Sequence, residues 1–411
     1  MKVAVVGAGS TYTPELVSGL SPLGVDELAL HDIDATRRDV VGAMARRMLA
    51  RDRFSGCIDV TDDLGRALDG ADFVLIQIRV GGQEARLADE TAPLACGCIG
   101  QETTGAGGLA KALRTVPVVL EIADEVRARA ADGAWIVDFT NPVGIVTRAL
   151  LDAGHRAVGL CNVAIGFQRL FARLLGVEPA RVLVDQVGLN HLTWVRAARV
   201  DGADVLGALI ADHVEDLAAQ SAMAPEIVER LGVVPSYYLR YFYLHDEVLE
   251  HQRHATPRAQ EVMDIERSLL ELYRDPSVDT KPALLERRGG AFYSEAATQL
   301  VASLRAGDGD VQVVDVRNGG ALPGLADDDV VELPARITAG GPEPLAQPPL
   351  APELLGLVQH VAAYERLAAR AAVERSAELA HRALLTHPLI GQWGVAEELL
   401  QRLDVFGRAR A

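Results

Sequence analysis

The first thirteen residues constrain the fold more than any other stretch of the chain. Met1-Lys-Val-Ala-Val-Val-Gly7-Ala-Gly9-Ser10-Thr11-Tyr12-Thr13 is an apolar strand running straight into a glycine turn. A second strand follows and ends in His31-Asp32-Ile33-Asp34, placing an acid roughly 20–25 residues after the first glycine, the spacing of a dinucleotide site. Gly7 and Gly9 let the backbone turn tightly and approach a pyrophosphate at a helix N-terminus, with Ser10 and Thr11 beside it. Asp32 can accept hydrogen bonds from an adenosine ribose and would repel a 2′-phosphate, which favours NAD over NADP. Tyr12 stands where a third glycine would fall, so strand and helix are expected to sit further apart. A bare GxG also occurs in ordinary strand-to-helix turns. Here Val3, Val5 and Val6 before it and Pro14 in the first helical turn favour the dinucleotide.

At 411 residues the chain is long enough for two domains. No run reaches the roughly 18 apolar residues that a bilayer span requires. A strand from Lys2 onward leaves no room for a signal peptide, so a cytoplasmic protein is expected. The net charge of −17, from 40 basic against 57 acidic residues, argues against nucleic acid and anionic membranes as partners. Cys57, Cys96, Cys98 and Cys161 read as reduced thiols.

Strands alternate with helices through the first 160 residues or so, the mark of a parallel sheet wrapped by helices. The apolar runs predict strands at Lys2–Val6, Glu27–His31, Cys57–Thr61, Phe73–Gln77, Trp135–Asp138 and Arg156–Leu160, with helices at Pro14–Leu20, Ala35–Arg51 and Leu109–Ala131. Further on, Val182–Val187 and Trp194–Val200 read as strands, and Ala259–Tyr273, Leu354–Leu384 and Val395–Leu403 as helices. Gly340–Pro352 reads as a surface connection. The fold class is therefore α/β: a Rossmann-type doubly wound sheet over residues 1–165, then a mixed α+β unit over 166–411; the layout resembles that of lactate and malate dehydrogenases, which implies that the second unit serves substrate, metal and oligomerisation.

Polar residues gather at strand ends, where ligands bind in open parallel sheets. Asn141-Pro142, Gly159-Leu-Cys161-Asn162-Val163 and Gly188-Leu-Asn190-His191 each follow an apolar strand. Cys161 and His191 are both ligands for a divalent transition metal, and two ligands leave coordination positions open for substrate oxygens. Each also has a plainer reading, as a small buried hydrophobe and a hydrogen-bonded core imidazole. Pro235-Ser-Tyr237-Tyr238-Leu-Arg240-Tyr241-Phe-Tyr243 concentrates tyrosines. A phenol beside a cation can act as a base, and otherwise such a cluster is aromatic packing. Cys96-Gly-Cys98 with Gly107 and Gly108 reads as a flexible loop, not a metal site.

These segments resemble glycoside hydrolase family 4, the NAD- and metal-dependent glycosidases, most closely its 6-phospho-β-glucosidase group. The likeness runs through Gly7–Leu16, Arg79-Val-Gly, Ile99-Gly-Gln-Glu-Thr, Gly107-Gly108-Leu, Phe139-Thr-Asn-Pro, Cys161-Asn-Val, Gly188-Leu-Asn-His, Tyr238-Leu-Arg-Tyr and Arg288-Gly-Gly-Ala-Phe-Tyr-Ser. The family stands outside the two-carboxylate glycosidase scheme. The resemblance implies that NAD takes hydride from C3 of the sugar, which acidifies the C2 proton. Tyr238 then removes that proton, while a divalent metal, usually Mn, on Cys161 and His191 stabilises the enediolate. The aglycone leaves C1, water adds, and the steps reverse.

Tyr238 is preferred over Tyr241 as the base because Arg258 lies 20 residues beyond it, as in related enzymes. Asn162 occupies the position at which the α-glucosidase branch carries an acidic Asp. Asn cannot donate a catalytic proton, which points to β-linked substrates. The resemblance also implies substrate contacts at Arg86, Asn141 and Asn162, with Ser10, Thr11, Arg86, Arg258 and Arg288 around a 6-phosphate. Ala164 replaces a proline frequent in the family, which is expected to loosen the loop behind the metal. Implied partners are a small phosphorylated glycoside and other copies of the chain, as a homodimer or homotetramer. Three alternatives remain: an NAD-dependent glycosidase of the same family acting on another sugar, a 6-phospho-α-glucoside or a galactoside; a 2-hydroxy-acid dehydrogenase; and an NAD- or sugar-binding regulator without turnover.

Overall fold

A computed structural model describes residues 1–289 and 292–403. Its strands are β1 (Lys2–Val6), β2 (Glu27–His31), β3 (Cys57–Thr61), β4 (Phe73–Ile76), β5 (Trp135–Asp138), β6 (Ala157–Gly159), β7 (Val182–Leu189), β8 (Leu192–Val200), β9 (Ala203–Asp204), β10 (Val234–Pro235), β11 (Val311–Arg317), β12 (Val330–Thr338) and β13 (Gly341–Pro344). All belong to one sheet. Its parallel part runs β3-β2-β1-β4-β5-β6, the doubly wound order, with the crevice where the order reverses between β1 and β4. Beyond β6 the sheet turns antiparallel through β11, β12, β7, β8 and β10.

The parallel strands are apolar on both faces because helices cover both faces. Val3, Val5, Leu75 and Val137 have no exposure, and burial of each such side chain contributes roughly 1.5–3 kcal/mol. The same apolar cluster continues into Leu333, Val358 and Ala380, so sheet and core pass without interruption across residue 165. No helix among the described residues is long and apolar enough to cross a membrane.

Several expectations need correction. The single helix expected over Leu354–Leu384 is two, Pro352–Glu374 and Ala377–Thr386. Arg375 takes a left-handed φ of 50°, and the Ser376 side chain caps the second helix by accepting from Leu379 N. The connection at Gly340–Pro352 contributes β13, which pairs with β12. Gly107 and Gly108 are not in a flexible loop. They open the helix Gly105–Arg129, where a Cβ on Gly107 would lie 2.4 Å from Gln101 O and 2.5 Å from Asp89 O. They are glycines because backbone crowds them. Ala164 likewise lies in a helix, Val163–Leu175, and is buried.

One row of facing residues runs across five strands: Asp138 on β5, Gly159 on β6, Asp315 on β11, Glu332 on β12 and Gly188 on β7. The two glycines leave room for carboxylates in the middle of the sheet. All three acids are buried, and burial pushes Asp138 up to about 8, Glu332 up to about 7, and Asp315 well above the usual carboxylate range.

Candidate active site

One cleft of about 1580 Å³ opens at the carboxyl ends of the parallel strands. That exceeds the roughly 300–1,000 Å³ of ordinary small-molecule pockets. Its lining includes Gly7, Gly9, Ser10 and Asp32 from the first turn and Asn141, Cys161, Asn162, His191 and Tyr238 from the later segments. Arg86, Arg258 and Arg288 line it as well.

The first turn is shaped by close contacts. Gly7 has φ +88°, and a Cβ there would meet Gln77 O at 2.8 Å. A Cβ on Gly9 would meet Asp32 Oδ2 at 2.7 Å, because Gly9 N donates to that oxygen at 2.6 Å. Asp34 N donates to Asp32 Oδ1 at 2.9 Å. Asp32 is thereby fixed at the end of β2 beside the turn. Thr11 is fully buried, and its Oγ1 has no hydrogen-bond partner among the described residues. Tyr12, at the missing-glycine position, is buried beneath the Arg288 guanidinium, 4.7 Å from the ring centre.

Cys161 follows β6 just before the helix Val163–Leu175, with the Val163 N–H and the Asn190 amide beside its sulfur. Those donors favour a thiolate, yet burial and the nearby carboxylates of Glu332 and Asp315 push the thiol well above its usual range. An adjacent cation would reverse that balance. His191 sits at the tip of the two-residue hairpin between β7 and β8, in the left-handed region at φ 60°. A non-glycine residue held there is strained. The preceding Gly188 has φ +148°, and a Cβ on it would lie 2.1 Å from Leu192 O.

The His191 ring is held on two sides. Its Nδ1 lies 2.8 Å from Thr103 Oγ1, whose single proton goes to Gln101 Oε1 at 2.9 Å. Thr103 must then accept from Nδ1–H, which leaves Nε2 as the lone-pair nitrogen. Burial, with Lys111 nearby, pushes His191 down to about 3, so the ring stays neutral, the form that binds metals. The Tyr238 ring stacks on it, centres 3.5 Å apart and planes 11° apart. Burial pushes the Tyr238 phenol well above its ordinary value, and Cys161, Tyr241 and Glu102 add to the shift.

The cationic side chains of the cleft are mostly compensated. Arg86 pairs with Glu90 at 2.7 Å and Glu102 at 3.1 Å. Glu102 also pairs with Arg79 and, at 2.6 Å, with Lys111. Arg258 pairs with Glu261 at 2.7 Å and Arg288 with Glu266 at 2.7 Å, and Glu266 also takes Arg37 at 3.2 Å. Arg240 differs: its guanidinium lies 4.1 Å from the Tyr237 ring centre and 5.1 Å from that of Tyr241, and it has no carboxylate partner among the described residues. Asn141 Oδ1 is buried with no partner among them, and Cys161 Sγ lies 4.0 Å from Asn162 Oδ1.

Sequence reasoning missed Thr103, Lys111, Asn190, Arg240, Glu266 and Glu332. Thr103 lies in the quoted Ile99–Thr103 motif and Asn190 beside His191, so both had a local signal. Glu266 and Glu332 had none, being ordinary acids in a helix and a strand.

Residues 2–177 match the model for Family 4 glycosyl hydrolase, and residues 186–390 that for Family 4 glycosyl hydrolase C-terminal domain. A Bacillus subtilis (strain 168) protein named "Probable 6-phospho-beta-glucosidase" is 40% identical, covering 98% of this chain and 95% of its own. The solved structure of the Thermotoga maritima 6-phospho-beta glucosidase with manganese, NAD+ and glucose-6-phosphate superposes with TM-score 0.92 at 35% identity, over 98% of this chain and 97% of that one. Malate dehydrogenase from Plasmodium falciparum shares the fold alone, with TM-score 0.55 at 14% identity, over 91% of this chain and 99% of that one.

Proposed function

The chain belongs to glycosyl hydrolase family 4, and on that premise we propose that it hydrolyses β-linked 6-phosphoglucosides with NAD and a divalent metal. One observation carries the reading: a single cleft brings the glycine turn and Asp32 together with Cys161, His191 and Tyr238. Relatives in this family have been solved with NAD, Mn2+ and glucose-6-phosphate.

The residues fit both groups. Gly7, Gly9 and Ser10 would receive the dinucleotide, with Asp32 on its ribose, whereas Thr11 is fully buried and does not line the cleft. Cys161 and the neutral His191, held through Nδ1 by Thr103 so that Nε2 keeps its lone pair, would hold the cation. When bound, the nicotinamide supplies reversible hydride transfer with the sugar and the cation supplies Lewis-acid polarisation of its oxygens.

The protein's own part follows from its geometry. The Tyr238 hydroxyl, on a ring stacked against His191, takes the C2 proton; its high intrinsic value means it works as a base only beside positive charge. Asn141 Oδ1 accepts a sugar hydroxyl that satisfies its missing bond. Asn162 orients substrate but donates no proton, so the aglycone must leave unassisted from that side, which favours β-linked substrates. Arg86, Arg258, Arg288 and the carboxylate-free Arg240 surround the anionic group.

The test is p-nitrophenyl-β-glucoside 6-phosphate with NAD, Mn2+ and reductant. Turnover that is abolished by a chelator and by omission of NAD is expected. Stoichiometric NADH from malate or lactate, with no glycoside cleavage, would overturn the reading.

A further inference from the structure

Glu90 joins the supports of two cleft arginines. It is 7% exposed and stands near the end of the helix Gly82–Thr91, one turn after Arg86. Its Oε1 accepts from Arg86 Nε at 2.7 Å, and its Oε2 accepts from Ala259 N at 2.8 Å. Ala259 is the second residue of the helix Arg258–Arg274, whose N-cap is Pro257. The first N–H groups of a helix have no intrahelical acceptor, and proline has no side-chain oxygen to supply one. Glu90 supplies it from 169 positions away and sets a carboxylate at the positive end of the helix dipole. Glu90 is itself held. Both oxygens of the neighbouring Asp89 take the buried Arg114 guanidinium, at 3.0 and 2.5 Å, and a Cβ on Gly100 would lie 1.8 Å from Glu90 O.

We propose that Glu90 is a positioning residue for the substrate's anionic group: its carboxylate ties Arg86 to the helical turn that carries Arg258, and so sets both cations in the cleft before substrate arrives. Both arginines line that cleft. The proposal rests on the reading of the substrate as a 6-phosphoglucoside. Arg86 meets Glu90 and Glu102 through Nε, and its terminal nitrogens make no hydrogen bond among the described residues. Those nitrogens are the part of the fork that an anion can take. Without Glu90, Arg86 would keep only Glu102, which also holds Arg79 and Lys111, and the helix of Arg258 would lose its cap. The substrate would then have to order both cations itself, which lowers affinity. Glu90→Gln has one amide oxygen, so it can accept from Arg86 or from Ala259 N but not from both.

The test measures the Kd of glucose 6-phosphate by calorimetry on the full chain with NAD and Mn2+, in the parent, E90Q and E90A. It also measures kcat and KM for p-nitrophenyl-β-glucoside 6-phosphate in the same proteins. Both variants should bind glucose 6-phosphate about 10-fold or more weakly, the loss of a hydrogen bond to a charged group. KM should rise in step, and kcat should change little. The Kd of Mn2+, read from the EPR signal of free Mn2+, and that of NAD should match the parent, which a general loosening of the fold would not allow. A glucose 6-phosphate Kd in E90Q equal to that of the parent overturns the proposal. So does a fall in kcat with KM unchanged, or an equal weakening of Mn2+ or NAD. If E90A does not fold, E90Q decides alone. A parent that neither binds glucose 6-phosphate nor cleaves the 6-phosphoglucoside would instead overturn the substrate reading itself, and this proposal with it.

Discussion

The His191 imidazole and the Tyr238 phenol ring lie face to face, 3.5 Å between centres and 11° from parallel. One is held by Thr103 through its Nδ1 and the other by the turn Tyr237–Leu239, so the stack joins a metal-ligand candidate to the proposed base. Tyr238→Phe keeps the stack and removes only the hydroxyl. Turnover of the 6-phosphoglucoside should fall about 10²- to 10⁴-fold, the usual contribution of a positioned base. Exchange of the C2 hydrogen with D2O should fall with it, while Tyr241→Phe should retain exchange. Parent-like exchange in Tyr238→Phe would remove Tyr238 from the role.

Thr103→Val should act on the same ring without touching substrate. It removes the acceptor for Nδ1–H, so the imidazole is free to change tautomer and to turn. Metal affinity should fall about 10-fold or more, and saturating Mn2+ should restore most of the rate. A rate that stays low at saturating metal would mean that Thr103 does something other than hold the ring.

How much of this was legible in the sequence depended on distance along the chain. The parallel strands were readable almost to the residue because uninterrupted apolar runs end in glycine or polar residues. β11 and β12 were not, since Val311–Arg317 and Val330–Thr338 contain Asp315 and Glu332 in their interiors, and acids normally mark surface. The break at Arg375 was hidden too, because neither glycine nor proline announces it. Cys161, His191 and Tyr238 were visible through short local motifs. Their supports were not: Thr103 reaches His191 across 88 positions and Glu332 reaches Asn190 across 142. Such pairings exist only once the sheet has formed.

Glu266 holds two arginines at the cleft wall, Arg37 at 3.2 Å and Arg288 at 2.7 Å, while being 4% exposed itself. The arginines hold its carboxyl below the usual range in spite of burial. Glu266→Ala leaves both cations without their partner. Removing one member of a buried pair typically costs about 3–5 kcal/mol, and the partial exposure of Arg37 reduces this to about 2 kcal/mol. Urea unfolding should show that loss, with Glu266→Gln in between because its single amide oxygen can still accept from one of the two guanidinium groups, as Oε1 now does from Arg288. An unchanged midpoint in Glu266→Ala would show that solvent already satisfies the two guanidinium groups.

Asp138 makes the stability depend on pH in an unusual direction. Its Oδ1 accepts from Thr140 N at 2.9 Å, but Oδ2 has no partner among the described residues and the side chain is fully buried. Burial pushes it up to about 8, against roughly 3.9 for an unfolded aspartate. Between those values the folded chain holds a proton that the unfolded chain has released. The contribution is therefore complete below the unfolded value and is lost as pH rises toward the folded one. Each pH unit in that window removes up to about 1.4 kcal/mol from this group. Asp138→Asn keeps an acceptor for Thr140 N, places an amide where the protonated oxygen stood, and does not titrate. Burial pushes the neighbouring Glu332, Asp315 and Glu365 the same way, so both proteins should lose stability with pH. The variant should lose less. Thermal melts at pH 5 and pH 8 should show the difference in Tm between variant and parent moving by a few degrees in favour of Asp138→Asn. A difference that is constant across that range would mean that Asp138 is ionised in the folded protein, with a compensating partner other than Thr140.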